Sequence, residues 1–431
     1  MSKNHEVDVL LVNPGYLRGH KQATHQSYPL GLAYLAANLE KNGLRTEIID
    51  CGLDDIRKSG ELRPTIVGVS VLTPVLREAY DTIRYLQKFL PDAEIIVGGV
   101  HITADPGIIE PLSVRHGLRG DSEDTIVDLC QRIRDGRTPR DEGLVSNDTG
   151  VVKHGSIHYV KDLDSLPYPI FTSKSIKRYR FHPIVTSRGC PYSCVYCSLA
   201  CTPLRFRSVD NVIGEMDYLV KEFGIKRLDF VDDTFTIDQD RIVQLLDALQ
   251  QKRINLTMAC TTRVDLVDER LLTDMKKAGI GYISFGVESG VERVRAALGK
   301  DIPNRQYETV FELCKKLGIR TRAYVMFGNP TETVDDMERT VHFIKKIKPD
   351  DTVFRITDVV PNSKLFTIMK RRGLIEDSAW KEYMLGRLSY PVFIPESLNS
   401  VDITNFYESV EVDFYLSREY IMRKIRSLLG V

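Results

Sequence analysis

Apolar and polar positions follow two rhythms along this chain. Residues 7–13, VDVLLVN, form a solid apolar run that stops at NPG, the pattern of a buried strand followed by a turn. LGLAYLAANLEK, from about Leu30 to Lys41, has helical spacing and is closed by Gly43, after which RTEIID returns as a strand. The cycle repeats with TIVGVSV, a helix around Leu76–Leu90 and a strand in EIIVGGVHIT. A short strand near Val114–Leu118 and a helix from about Ser122 to Arg134 complete it. Strands alternating with helices predict an α/β fold over residues 1–140, a doubly wound parallel sheet of flavodoxin or Rossmann type. Such sheets bind ligands outside the carboxyl ends of their strands, where strand order reverses. Those ends carry NPG, SVLTP, GGVHIT and RGDSED, all small, polar and backbone-exposing.

Residues 141–180 lack periodicity and include DLDSLPYPIF, which predicts an ordered connector between domains. A second series then begins at PIVTS (183–187), with strands at 227–232, 256–261, 280–287, 321–328 and 351–358. Amphipathic helices lie between them. The clearest puts Val212, Ile213, Met216, Leu219, Val220 and Phe223 on one face. Six βα units are fewer than the eight of a full TIM barrel, so residues 181–375 predict a partial (β/α)6 barrel. Residues 376–431 read as a short helical tail that closes one end of it.

Composition narrows the function classes. The chain has 431 residues, 42% apolar and 27% charged, as in a globular protein of two or three domains. Its 59 basic and 59 acidic side chains cancel, without the basic excess of a nucleic-acid binder. No apolar run approaches the ~18 residues of a membrane span, and the N-terminus has no signal-peptide core. The expectation is a cytoplasmic protein that acts on a small molecule, with no membrane or nucleic-acid partner. In that compartment disulfides are rare, and clustered cysteines hold metal or do chemistry.

The cluster is SRGCPYSCVYCSLAC, residues 187–201, which holds four of the chain's eight cysteines. Cys190, Cys194 and Cys197 form C-x3-C-x2-C in the loop after the first barrel strand, the end at which barrel active sites sit. Three thiolates on one loop can hold three irons of a [4Fe–4S] cluster, leaving the fourth iron open to a small molecule. Zinc is the competing reading, with Cys201 as fourth ligand, although a second two-cysteine hook is missing. Cys51, Cys130, Cys260 and Cys314 fall in strands or helices and are expected in the core.

With Tyr196 just before the third cysteine, this segment resembles the radical S-adenosylmethionine superfamily. The resemblance implies that the cluster's open iron chelates S-adenosylmethionine and that reductive cleavage gives a 5′-deoxyadenosyl radical. It also implies an electron donor such as flavodoxin or ferredoxin. It assigns cofactor contacts to strand ends: Asp232 and Asp233 in FVDDTFT to the methionine ammonium, in place of the family's usual glycine-glycine-glutamate. Arg263 in ACTTRVDL would face the carboxylate, Glu288 in FGVESG the ribose, and Phe327 and Gly328 in YVMFGNPTET the adenine. Cys201 lies outside the three-ligand pattern and is either a thiol without a role or a hydrogen donor.

VLLVNPG, PLGLAYLAANLEKNG, VGVSVLTP, IIVGGVHITADP and RGDSEDT resemble the cobalamin-binding domain fused to many of these enzymes. On that resemblance Asn13, Ser70, Thr73, Gly98, Gly99 and His101 would approach a cobalamin. The D-x-H-x-x-G loop of histidine-ligated cobalamin proteins is absent, and Gly120-Asp121-Ser122-Glu123 stands where the family usually has GEGE. His20 and His25 follow the first strand and are either surface histidines or corrin neighbours.

Two outcomes follow from these resemblances. The first is cobalamin-dependent methyl transfer to an unactivated carbon of a small metabolite. The second is radical dehydration, epimerisation or rearrangement with the N-terminal domain kept as scaffold. An RNA methylthiotransferase would need three more N-terminal cysteines, where only Cys51 and Cys130 occur. A zinc-binding regulatory module is the non-enzymatic alternative. Polar candidates near the barrel mouth are Asp358, Asn362, Lys364, Trp380 and Tyr383.

Overall fold

The computed structural model describes residues 7–15, 28–139, 142–171, 176–179, 181–252, 256–390, 392–417 and 420–422. His20 and His25 lie outside the described residues. The first sheet contains β1 (Val9–Asn13), β2 (Thr46–Asp50), β3 (Ile66–Ser70), β4 (Glu94–Gly98) and β5 (His116–Leu118). It also contains β6 (Leu144–Asp148) and β7 (Val151–His154), in the order β2-β1-β3-β4-β5-β6-β7. The first five strands are parallel and reverse direction of addition between β1 and β3, which is the switch point at which such sheets bind ligands.

Both faces of the sheet are covered. On one side Leu32, Ala36 and Leu39 of helix Leu30–Lys41 pack with Ile126, Leu129 and Cys130 of helix Thr125–Arg134. On the other, Leu76, Ala79, Ile83 and Leu86 of helix Leu76–Phe89 meet Leu10, Val12, Val67 and Val69. A buried leucine or isoleucine contributes about 1.5–3 kcal/mol, so these two layers hold the strand ends in place.

Two sequence expectations change here. The run EIIVGGVHIT is not one strand: β4 stops at Gly98, and Val100–Ala104 is a helical turn. Gly99 makes the break. Its φ is 103°, and a Cβ there would lie 2.8 Å from the Val71 carbonyl oxygen. Residues 144–154, expected as connector, instead form an antiparallel hairpin on the β5 edge of the first sheet.

The second sheet contains β8 (His182–Ile184), β11 (Arg227–Phe230), β12 (Thr257–Thr262), β13 (Ile280–Glu288), β14 (Arg320–Phe327) and β15 (Asp351–Ile356). They lie in the order β15-β14-β13-β12-β11-β8, all parallel and open between the outer strands. Between β8 and β11 lie two short strands, β9 (Ser187–Arg188) and β10 (Arg205–Phe206). Helix Val209–Phe223 buries the predicted face. The Ser208 side chain caps its start, and Gly224 at φ 63° ends it. Cys260 and Cys314 are buried in the barrel core, while Cys51 is half-buried just after β2.

Among the described residues the tail packs along the side of the barrel rather than across an end of it. Helix Ser400–Tyr415 runs along the last two strands: Phe406 meets Phe327, Phe414 meets Phe354, and the Tyr415 hydroxyl donates to the Thr352 carbonyl. Before it, helix Ala379–Met384 sets Trp380 and Met384 into the core of the first sheet. Trp380 donates from Nε1 to the Val359 carbonyl at 2.9 Å, so this residue joins the two units.

Candidate active site

The cysteine loop is built from both ends. β9 and β10 pair antiparallel and bracket residues 189–204. Gly189 has φ 94°, and a Cβ there would lie 2.0 Å from the Pro203 carbonyl oxygen, so only glycine lets the loop close. Inside it, Thr202 N donates to Cys190 O at 3.1 Å and Cys201 N to Tyr192 O at 2.9 Å. The loop is also tied outward. Val195 N donates to Leu298 O at 3.0 Å and Leu365 N to Val195 O at 2.7 Å.

Cys190, Cys194 and Cys197 are half-buried and unbridged, while Cys201 is exposed. Leu199 N donates to Cys197 Sγ at 3.4 Å, and Arg263 Nη1 lies 3.9 Å from Cys194 Sγ. Burial raises both the Cys194 and the Cys197 thiols, the latter to about 11. A cationic group must therefore bind if they are to be held as thiolates near neutrality.

Among the described residues no three His, Cys, Asp or Glu side chains converge on one point that suits a single ion. Thiolates that each take a separate iron need no such convergence, and the N–H and guanidinium donors aimed at sulfur are the contacts that tune an iron–sulfur cluster. The loop fits a [4Fe–4S] cluster.

Around the loop the strand ends sort the acidic and basic candidates. Tyr196 donates to Glu288 Oε1 at 2.9 Å, and Lys300 Nζ donates to the same oxygen at 2.9 Å and to Gly286 O at 2.7 Å. Glu288 and Lys300 are buried and Tyr196 is half-buried, and Glu288 holds φ 61°, an uncommon conformation for a non-glycine residue. Arg263 grips Asp265 through two nitrogens, at 2.9 and 2.7 Å, and stacks on Tyr192 with 3.8 Å to the ring centroid.

The two aspartates part company. Asp232 is 3% exposed, and Thr186 and Ser187 both donate to it, the Ser187 hydroxyl at 2.6 Å; it pins the first strand. Asp233 accepts from Gly189 N at 2.9 Å and lines the cavity beside the loop. Phe327 is fully buried against Phe354 and Phe406, and Gly328 is backed by Ile403 of the tail helix.

Two cavities adjoin the loop. One, of about 590 Å3, lies between the first sheet and the barrel. Its walls take Gly99, Val100 and Asp121 from the first sheet's strand ends and Cys197, Cys201 and Asp233 from the barrel's. Asn362 and Lys364 also line it. The other, of about 490 Å3, lies under helix Leu30–Lys41 and is lined by Ser70, Gly98 and Gly99 among mainly aliphatic side chains.

The remaining cobalamin candidates do not line either cavity. Asn13 Nδ2 donates to Asp50 at 3.1 Å. Thr73 lies 3.0 Å from His101 Nδ1, and His101 is fully buried, with its ring edge-on to Trp380. Burial lowers His101 to about 4, which keeps it neutral, and Nε2 has no partner among the described residues. Trp380 and Tyr383 pack on the first sheet's core rather than at the barrel mouth. Asp358 follows β15, and burial raises it to about 6.

Sequence reading missed Arg188 and Lys300. Arg188 lines both cavities and pairs with Glu123 at 2.6 Å and Asp121 at 3.2 Å. Its place directly before the glycine of the cysteine loop was the available signal. Lys300 lies in a loop with no periodicity to single it out.

Residues 184–344 match the radical SAM superfamily, and residues 21–129 match the B12 binding domain. The chain is 28% identical over 418 residues to an uncharacterized methyltransferase of Pyrococcus horikoshii, covering 92% of this chain and 90% of that protein. It is 24% identical over 440 residues to the anaerobic magnesium-protoporphyrin IX monomethyl ester cyclase of Rubrivivax gelatinosus, covering 96% of this chain and 78% of that one. In fold it is similar to the radical S-adenosylmethionine methyltransferase TsrM from Kitasatospora setae, solved with cobalamin and a [4Fe–4S] cluster bound. That likeness has a TM-score of 0.73 at 20% identity and covers 85% of this chain and 75% of TsrM.

Proposed function

We propose that this chain, a radical S-adenosylmethionine enzyme with an N-terminal B12-binding domain, transfers a methyl group to an unactivated carbon of a small molecule. The observation that carries the proposal is the shared cavity: the cysteine loop and the carboxyl ends of the first sheet face each other across one space of about 590 Å3. A corrinoid unit spanning residues 1–140, extended by the hairpin 144–154, would thus open toward a barrel of residues 181–375. With the cluster, S-adenosylmethionine and a corrinoid bound, the cofactors supply a hydrogen-abstracting radical and a transferable methyl group.

The side chains bind and orient. Cys190, Cys194 and Cys197 hold the cluster. Tyr196 and Lys300 fix Glu288 for accepting hydrogen bonds from ribose hydroxyls. Asp233, on the cavity wall, suits the methionine ammonium, and Arg263 beside Cys194 suits its carboxylate. Asn362 and Lys364 line the substrate's side of the cavity. A single-electron donor of the flavodoxin or ferredoxin class reduces the cluster.

The test is iron and corrinoid content of protein made anaerobically in a cobalamin-importing host, followed by product analysis. About four irons and one corrinoid per chain, then methylated product with S-adenosylhomocysteine, is the expected result. Four irons without corrinoid, even after reconstitution, would move the reading to dehydration or epimerisation, with the exposed Cys201 as the hydrogen donor to examine. Zinc with neither would sink both.

A further inference from the structure

We propose that the exposed face of helix Lys364–Arg371 is the docking surface for the electron donor, an acidic one-electron carrier protein that delivers its electron to the cysteine loop beneath. This rests on the reading that Cys190, Cys194 and Cys197 hold a redox-active cluster, and it gives the carrier a place.

The helix is strapped to the loop. Leu365 N donates at 2.7 Å to the carbonyl of Val195, the residue that follows Cys194. Val195, Leu365 and Met369 share one apolar cluster, with Tyr196, Phe366 and Ile368 packed against it. The loop's other contacts turn inward. Arg188 at its start pairs with Glu123 toward the first domain, and Cys194 looks to Arg263 at the barrel strand ends. On the side of Val195, among the described residues, one helix with an exposed outer face stands between the loop and solvent. A helix with its side chains is about 10–12 Å across. Electron tunnelling decays steeply with distance, so a carrier seated on this helix is well placed to reach the loop.

Charge sets the kind of partner. Residues 364–375, KLFTIMKRRGLI, hold four cations and no acid, in a chain whose 59 basic and 59 acidic side chains cancel. Helical spacing puts Lys364, Thr367, Lys370 and Arg371 opposite Leu365 and Met369, and all four are exposed, as is Arg372. Lys364 stands at the edge of the larger cavity, and the other cations lie further along the helix. Among the described residues Lys364, Arg371 and Arg372 have no acidic partner. Lys370 meets Asp377 at 2.6 Å, an exposed pair of little worth to the fold. Solvated charge can be scattered anywhere on a surface, yet here it is gathered on the helix that shields the loop. Unpaired cations in a row steer an acidic partner and orient it. A patch one short helix long suits the small, short-lived contacts of electron transfer. One electron leaves the reduced carrier and enters the oxidised cluster; no bond forms or breaks and no proton moves.

Stopped-flow bleaching of the cluster's visible absorbance tests this on the anaerobically reconstituted full chain. Reduced flavodoxin and reduced ferredoxin are the carriers, and dithionite is the small reductant. Arg371→Glu with Arg372→Glu is expected to slow reduction at least about tenfold at low salt, for each carrier that reduces the parent. The dissociation constant of the oxidised carrier, measured by calorimetry, should rise in step. Iron content and bleaching by dithionite should stay as in the parent, which also reports that the variant folds; Arg371→Gln is the second variant should they not. Added salt should slow the parent and leave the double variant little changed. Lys315→Glu with Lys316→Glu makes the same change in charge at the last turn of helix Asn304–Lys316, away from the strand ends that face the loop, and should behave as the parent. Equal carrier rates in parent and arginine variant would overturn the inference. So would equal slowing in the lysine control, or a parent that dithionite bleaches and neither carrier reduces. A parent without iron, or one that dithionite does not bleach, would instead remove the cluster reading and the inference with it.

Discussion

Arg188 and Glu123 meet at 2.6 Å across the boundary between the first sheet and the barrel, with the Arg188 guanidinium also 5.3 Å from the ring centroid of Tyr34. Arg188 stands one residue before the glycine that lets the cysteine loop turn, so the pair fixes the loop against the first sheet's side of the cavity. Burial opposes the guanidinium charge, but Glu123 and Asp121 outweigh it and hold its pKa above the usual value. Arg188→Met leaves the buried Glu123 carboxylate without its cationic partner, while Asp121 keeps Arg205, and is expected to cost about 3–5 kcal/mol. Arg188→Lys keeps the charge but loses the forked geometry and should fall between. Chemical denaturation of the anaerobic protein measures it, and a methionine variant within about 0.5 kcal/mol of the parent would refute the role.

The three-ligand reading of the cysteine loop sets Cys190, Cys194 and Cys197 apart from Cys201. Replacing Cys190, Cys194 or Cys197 singly with Ala is expected to reduce iron from about four per chain to near zero after reconstitution. Cys201→Ala should keep its iron and its visible absorbance, because Cys201 is exposed and its thiol points to the Tyr192 carbonyl at 3.8 Å. Iron lost from Cys201→Ala would show that the fourth cysteine is a ligand and reopen the four-thiolate zinc reading.

The strands and the cysteine loop were legible because each rests on a local pattern. Apolar runs of strand length between helical stretches gave both sheets, and the three-cysteine spacing located the cluster loop on one β-to-α connection. What stayed hidden depends on direction or distant packing. Asp232 and Asp233 are identical in sequence and opposite in role, since neighbouring residues at a strand end point to different sides. His101 in GGVHIT reads as a cobalamin neighbour, yet the turn that Gly99 forces sends its ring inward to Thr73 and Trp380, a residue 279 positions later. The hairpin 144–154 escaped because an edge pair with one strand mostly exposed carries almost no apolar signal.

Lys300 and Glu288 should behave as one unit. Lys300→Met leaves the Glu288 carboxylate buried beside the cysteine loop and is expected to destabilise by about 3–5 kcal/mol. Combining it with Glu288→Gln removes the stranded charge, so the double variant should be more stable than the sum of the two single changes predicts, by at least about 1 kcal/mol. Denaturation midpoints of the four proteins give the coupling. The double variant should also bind S-adenosylmethionine more weakly than the parent at equal iron content. Strict additivity would mean that the 2.9 Å contact does not act as an ion pair.

Glu332 carries a pH dependence that can be read in isolation. It is fully buried between the ends of β13 and β14 and accepts from Asn329 N at 2.9 Å and Asn329 Nδ2 at 3.1 Å. Burial raises its pKa to about 7, against the pull of those hydrogen bonds, from an ordinary value of 4.5. The folded state therefore holds this proton more tightly than the unfolded chain. Its contribution to stability is complete below pH 4.5, where both states are protonated, and is lost as pH rises through about 7. The expected loss is on the order of 3 kcal/mol. Glu332→Gln keeps an acceptor toward Asn329 but cannot titrate. The difference in unfolding free energy between parent and variant should thus fall steadily from pH 4.5 to 7 and level off above, the other carboxylates cancelling in the comparison. Parallel stability profiles across that range would show that Glu332 ionises at its ordinary value and that the site is more hydrated than its burial implies.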